Sequence, residues 1–123
     1  MTKIYTLVNQ KGGVGKTTST INLAAYLARM GQNVLVVDLD PQANATSGLG
    51  IAQEDGGSLY PALVGNMDPR KLIRSTRIPG LSIIRSHQEL AGCEVELAQT
   101  GNHLVRLREV LQPLHQSGHF DYV

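Results

Sequence analysis

The chain has 123 residues, which bounds it to one domain, and 41% of them are apolar, enough for a packed core. A net charge of +1 gives no electrostatic argument for binding nucleic acid or an acidic membrane surface. A single cysteine, Cys93, excludes an intrachain disulfide and suits a reducing compartment. With no apolar run of membrane-spanning length and no secretory signal, a cytoplasmic protein is expected.

In chain order, Lys3 to Val8 reads as a short buried strand, and Thr17 to Met30 as a helix. Ile21, Ala24, Ala25 and Ala28 form one apolar stripe on that helix, with Leu23, Leu27 and Met30 as a second beside it. The combined width predicts deep packing on a sheet, and Gly31 stands where a C-terminal cap belongs. Val34 to Leu39 is apolar except for Asp38, the pattern of a parallel strand covered on both faces. Strand, helix and strand make a βαβ unit. Asp38 and Asp40 lie at the carboxyl end of its second strand, the edge where ligands bind in parallel sheets. Pro41 to Gly57 reads as a polar, glycine-rich loop.

Ser58 to Val64 is predicted to be a short helix capped by Ser58, and Asp68 to Ile73 a second one capped by Asp68 with Pro69 first. Arg74 to Ile78 fits an edge strand and Leu81 to Ile84 a central one. Gln88 to Leu97 and Asn102 to Gln112 read as helices, and Pro113 weakens the helical pattern beyond. Leu104, Leu107, Leu111 and Leu114 supply the apolar stripe of the last. Phe120 to Val123 looks like the opening of another strand. The fold class expected is α/β, a mostly parallel sheet with helices on both faces, incomplete at the C-terminus.

The stretch Asn9-Gln10-Lys11-Gly12-Gly13-Val14-Gly15-Lys16-Thr17-Thr18 lies between the first strand and the first helix. That is the context a phosphate-binding loop requires. Glycines let backbone N–H groups turn inward around an anion, and the helix start adds free donors and a positive dipole end. Lys16 can reach the β and γ phosphates, and the Thr17 hydroxyl can bind the accompanying Mg²⁺. The strict pattern would place glycine where Gln10 stands, and Lys11 adds a second cation.

Lys11 to Thr18 resembles the deviant Walker A motif of the ParA, MinD and nitrogenase-iron-protein class of P-loop ATPases. Asp38-Leu39-Asp40-Pro41-Gln42-Ala43-Asn44-Ala45-Thr46 looks like the D-x-D-P-Q-x-N-x-T segment of ParA/Soj-type partitioning ATPases, and Leu90-Ala91-Gly92-Cys93-Glu94-Val95-Glu96-Leu97 is similar to their L-A-G-A-E-x-E-L segment. A single cysteine cannot supply the cluster ligands of the nitrogenase branch. The resemblance implies a P-loop NTPase-like fold, with residues 1–123 the N-terminal portion of one ATPase domain, ending at the start of the Walker B strand. The Walker B aspartate would lie beyond Val123, so turnover by these residues is not implied. With the P-loop strand at the outset, the short, chromosomal-type subgroup fits better than the long plasmid one.

The resemblance also implies roles. ATP and Mg²⁺ are the expected cofactors. Gly12, Gly13, Val14, Gly15, Lys16, Thr17 and Thr18 would bind nucleotide, and Thr17 and Asp38 would serve the metal. Lys11 would reach across a dimer interface to the partner's nucleotide, as an arginine finger does. Asp40 would orient the attacking water. The expected cycle is ATP-dependent homodimerisation, non-specific DNA association through polypeptide beyond Val123, and stimulation by a centromere-binding ParB-like protein. That places it in the cytoplasm on the nucleoid, without stable membrane association, segregating plasmids or chromosomes. The alternatives are a MinD-like membrane-cycling ATPase and a non-catalytic nucleotide-binding module. Asn44 and Thr46 receive no role. Arg70, Lys71, Arg74 and Arg77 read as a solvated face, and the histidines show no zinc spacing with Cys93.

Overall fold

The helix behind the glycine loop forms where the pattern places it. In the computed structural model, which describes residues 1–8, 15–99, 101 and 103–123, helix α1 spans Lys16–Arg29. Its end is closed by a Schellman arrangement. Gly31 takes φ +88°, its N–H donates to the Ala28 carbonyl, and the Gln32 N–H donates to that of Leu27. Strand β1 (Val34–Val37) follows. The predicted loop of residues 41–57 contains one unforeseen element, the five-residue helix α2 (Asn44–Gly48). Next come α3 (Tyr60–Val64), a 3₁₀ turn at Pro69–Leu72, β2 (Arg74–Ser75) and β3 (Leu81–Ile84). A 3₁₀ segment, Gln88–Gly92, leads into α4 (Cys93–Ala98), and α5 is His103–Gln116.

β1 and β3 pair in parallel, Val34 opposite Leu81 and Val37 opposite Ile84, and β2 adds an antiparallel edge on β3. Alternation along the strands sorts the core into two layers. Val34, Val36, Leu81 and Ile83 pack with Ala24 and Ala28 of α1 on one face. Leu35 and Ile84 pack with Leu63 of α3, Cys93 of α4 and Val110 and Leu114 of α5 on the other. Helices therefore cover both faces of a mostly parallel sheet, as the sequence predicts.

Several expectations change. Lys3 to Val8 is not a buried strand. Lys3 alone bridges to Tyr122, Tyr5 N–H donates to the Val123 carbonyl, and Ile4, Tyr5, Leu7 and Val8 are exposed. A strand needs a ladder partner along its length, and only residues 121–123 supply one here. Of the second stripe of α1, Leu27 packs against the core, whereas Leu23 and Met30 are exposed. Asp38 and Leu39 fall outside β1, and residues 76–78 outside β2. Residues 88–97 split into a 3₁₀ segment and a short α-helix rather than one helix. α5 runs through Pro113 to Gln116, past the predicted end. Proline removes one donor, but the fully buried Leu114 and the Ser117 N–H bond to the Pro113 carbonyl hold the last turn in place.

Candidate nucleotide site at the sheet's carboxyl edge

Residues 9–14 lie outside the described residues, so Lys11, Gly12, Gly13 and Val14 receive no structural account. The described part of the loop begins at Gly15, the N-cap of α1, with φ +85° and no side-chain capping bond. Such an angle favours glycine, and the Ser19 N–H donates to the Gly15 carbonyl to start the helix. The first turn holds no acidic residue. The positive helix end is thus uncompensated by any described capping side chain, and Lys16 adds a full charge to it. This combination fits an anion.

Lys16 and Thr17 are half-buried and share the wall of a cavity of about 440 Å³ with Asp38, Asp40 and Pro41. Thr18 is exposed and lies off that wall. The rest of the cavity is apolar. It runs between residues 4–8 and residues 34–39, with Leu23 and Leu27 of α1 on one side and Leu107 and Leu111 of α5 on the other. Tyr122 also lines it, bridged in parallel to both Lys3 and Val34. The apolar body has the shape of a strand position within the sheet and does not suit phosphates. Only the polar end, where Lys16 and Thr17 meet the two aspartates, fits phosphate and Mg²⁺.

Both aspartates reach that end, but through a turn rather than an extended strand. Asp38 is buried. Its Oδ1 accepts the Asp40 N–H (3.1 Å), and its Oδ2 accepts the Thr46 N–H (2.9 Å) and hydroxyl (2.7 Å). A carboxylate has about four acceptor positions, so Asp38 retains little capacity for a direct metal bond. An outer position, through metal-bound water, fits better. Asp40 is half-buried. Oδ1 accepts the Gln42 N–H and Oδ2 the Asn44 side-chain amide, contacts a water or ligand can displace at a solvent-facing group.

Two residues without an assigned role complete the arrangement. Ser86 N–H donates to Thr46 Oγ1 (2.9 Å), and the Ser86 hydroxyl donates to the Asp40 carbonyl. Beside them, Arg85 pairs with Glu54, and His87 Nε2 lies 2.9 Å from Asp55, tying residues 54–55 to the chain beyond β3. No local pattern announces a contact between residues 46 and 86, so sequence reading passed over Ser86. The basic cluster disperses as expected: Arg70 pairs with Asp68, Arg74 turns back on the Lys71 and Ile73 carbonyls, and Arg77 packs against Gly50. Among the described residues no group of three or more His, Cys, Asp and Glu side chains could hold a metal, and no helix is long and apolar enough to cross a membrane. Burial, with the adjacent Glu96 charge, pushes the Cys93 thiol up.

Comparison with known proteins places this geometry. Residues 2–123 match the model of a family described as an AAA domain. The chain is 46% identical to the sporulation initiation inhibitor protein Soj of Bacillus subtilis, over all of this chain and 48% of that protein. It is 41% identical to the chromosome partitioning protein ParA of Caulobacter vibrioides, over 98% of this chain and 46% of that protein. Among solved structures, cobyrinic acid a,c-diamide synthase from Mycobacterium smegmatis with bound ADP and magnesium superposes with a TM-score of 0.90 at 35% identity, covering 100% of this chain and 49% of that one. The chain thus spans about half the length of the relatives it matches. The chain belongs to this AAA-domain family and is similar to its Soj and ParA relatives.

Proposed function

We propose that this chain is the nucleotide-binding portion of a ParA/Soj-type partitioning ATPase. The observation that carries the reading is the polar end of the cavity. An uncapped helix N-terminus and Lys16 face Asp38 and Asp40 there, at the sheet edge where ligands bind. ATP with Mg²⁺ would supply the transferable phosphoryl group and its charge-neutralising ion. Gly12, Gly13, Val14 and Gly15 would cradle phosphate oxygens with backbone N–H groups. Lys16 would neutralise the β and γ phosphates, Thr17 would supply a hydroxyl to the metal, and Thr18 would serve the α-phosphate. Asp38 would accept from metal-bound water, Asp40 would orient the attacking water, and Lys11 would stabilise charge on a partner's nucleotide.

The domain reading follows from the apolar slot. Residues 1–123 are the N-terminal portion of one P-loop domain, and a further parallel strand, in line with residues 121–123, fills the space between residues 4–8 and β1. This agrees with the share of the relatives that the chain covers. The completed protein dimerises on ATP, associates with DNA on the nucleoid, and is stimulated by a centromere-binding ParB-like partner. The open slot favours a second reading for the 123 residues themselves, nucleotide binding without turnover.

The test is calorimetric titration of Mg·ATP into the chain and into Lys16→Ala. Saturable binding that drops at least a hundredfold in affinity in the variant is expected. Equal binding by both proteins refutes the assignment of Lys16. Absent binding by a chain with a cooperative melt refutes nucleotide binding by residues 1–123.

A further inference from the structure

Asp38, Thr46 and Ser86 are 5%, 0% and 1% exposed, an unusual burial for three polar side chains in contact. They come from three separate elements: the end of β1, helix α2, and the residues following β3. Their bonds converge on the Asp38 carboxylate. Ser86 N–H donates to Thr46 Oγ1, whose hydroxyl donates to Asp38 Oδ2, while Asp38 Oδ1 accepts the N–H of Asp40. The chain closes on Asp40, whose carbonyl accepts both the Ser86 hydroxyl and the Ala43 N–H (2.8 Å). The Asp40 backbone is therefore held at both its N–H and its C=O, while its carboxylate remains on the solvent side.

The turn so held is strained. Ala43 has φ +57°, the only described non-glycine residue in the left-handed region, and it is fully buried at the N-cap of α2. Such a conformation persists only where its surroundings over-determine it. Ser86 bonds this turn directly at the Asp40 carbonyl, and Thr46 holds Asp38, the residue on which the turn begins.

We propose that Thr46 and Ser86 are positioning residues that clamp the strained Asp40–Ala43 turn onto the carboxyl ends of β1 and β3, fixing where the Asp40 carboxylate stands. The proposal rests on the nucleotide reading for its purpose and not for its existence. Neither residue touches the phosphate end. Ser86 acts on the Asp40 carbonyl directly, and Thr46 acts through the Asp38 carboxylate, whose Oδ1 accepts the Asp40 N–H, so the position of Asp40 depends on the spacing of two strands rather than on a free loop.

Hydrogen exchange followed by NMR on the whole chain, without nucleotide, tests it. In Thr46→Val and in Ser86→Ala, the amides of Asp40 and Ala43 exchange at least tenfold faster than in the parent. Those of Leu35 and Ile83, in the core strands, stay within twofold. Thr46→Ser, which keeps the hydroxyl, returns Asp40 and Ala43 to within threefold of the parent. Unchanged exchange at Asp40 and Ala43 overturns the proposal. So does an equal rise at Leu35 and Ile83, which means that the two side chains only stabilise the fold, and so does a Thr46→Ser variant that behaves like valine. The Mg·ATP titration is separate: a chain that shows the local pattern and binds no nucleotide keeps the clamp and loses the nucleotide reading.

Discussion

Helix α3 ends without the left-handed glycine that closes α1. Gly65, its C-cap, has φ −134°, and the carbonyls of Ala62, Leu63 and Gly65 turn instead to one side chain on α5. Arg106 Nε donates to Leu63 (2.8 Å), and Nη2 donates to Ala62 (2.9 Å) and Gly65 (2.7 Å). These carbonyls include the ones a helix end leaves without partners. Arg106→Met keeps most of the apolar stem and removes these three bonds, together with an exposed ion pair to Glu109 that contributes little. A bond from a charged donor contributes about 1.5–3 kcal/mol, which sets an upper range of several kcal/mol. Two features lower it. The arginine side chain is 23% exposed, and the open cleft beside Ala62, Asp68 and Val110 admits water to the freed carbonyls. Near 1 kcal/mol per bond is then appropriate, and the expected loss is about 2–3 kcal/mol in urea unfolding with an unchanged m-value. A loss below about 0.5 kcal/mol would show that water replaces the guanidinium at no net cost, and that the link between α3 and α5 is carried by apolar packing alone.

Tyr60 and Gly80 give two further expectations. The Tyr60 hydroxyl donates to the Glu96 carboxylate at 2.6 Å, and that bond, with burial and the adjacent negative charge, pushes its pKa up to about 12. Because the folded value lies above the unfolded one near 10, the associated stability is complete below about pH 10 and lost as pH rises through about 12. Ultraviolet difference titration should show one tyrosine ionising late, returning toward 10 in Glu96→Ala; an unchanged curve in that variant contradicts the assigned cause. Gly80 has φ +85°, and a Cβ there would stand 3.1 Å from the Gln32 carbonyl oxygen. Its own carbonyl accepts the Val34 N–H, so the turn cannot readily shift. Gly80→Ala should cost about 1–3 kcal/mol of unfolding free energy, and a neutral result would mean the turn relaxes after all.

Sequence by itself determined the features that depend on neighbours along the chain. Gly15 at the start of α1, the stripe of Ala24 and Ala28, the Schellman closure at Gly31, and the apolar runs of β1 and β3 all follow from local spacing and backbone allowance. So does the placing of Asp38 and Asp40 at the carboxyl edge, since strand ends fix that edge. Tertiary structure alone decided the rest. Residues 3–8 have every local property of a strand, yet a strand exists only where another backbone offers its hydrogen bonds, and residues 121–123 offer few. Pro113 is a local helix breaker overruled by the burial of Leu114. Ser86 is joined to Thr46, 40 positions away, and to Asp40, 46 positions away, and no local period encodes those two bonds. They arise because parallel pairing of β1 with β3 brings their carboxyl ends side by side, where buried polar groups must satisfy one another.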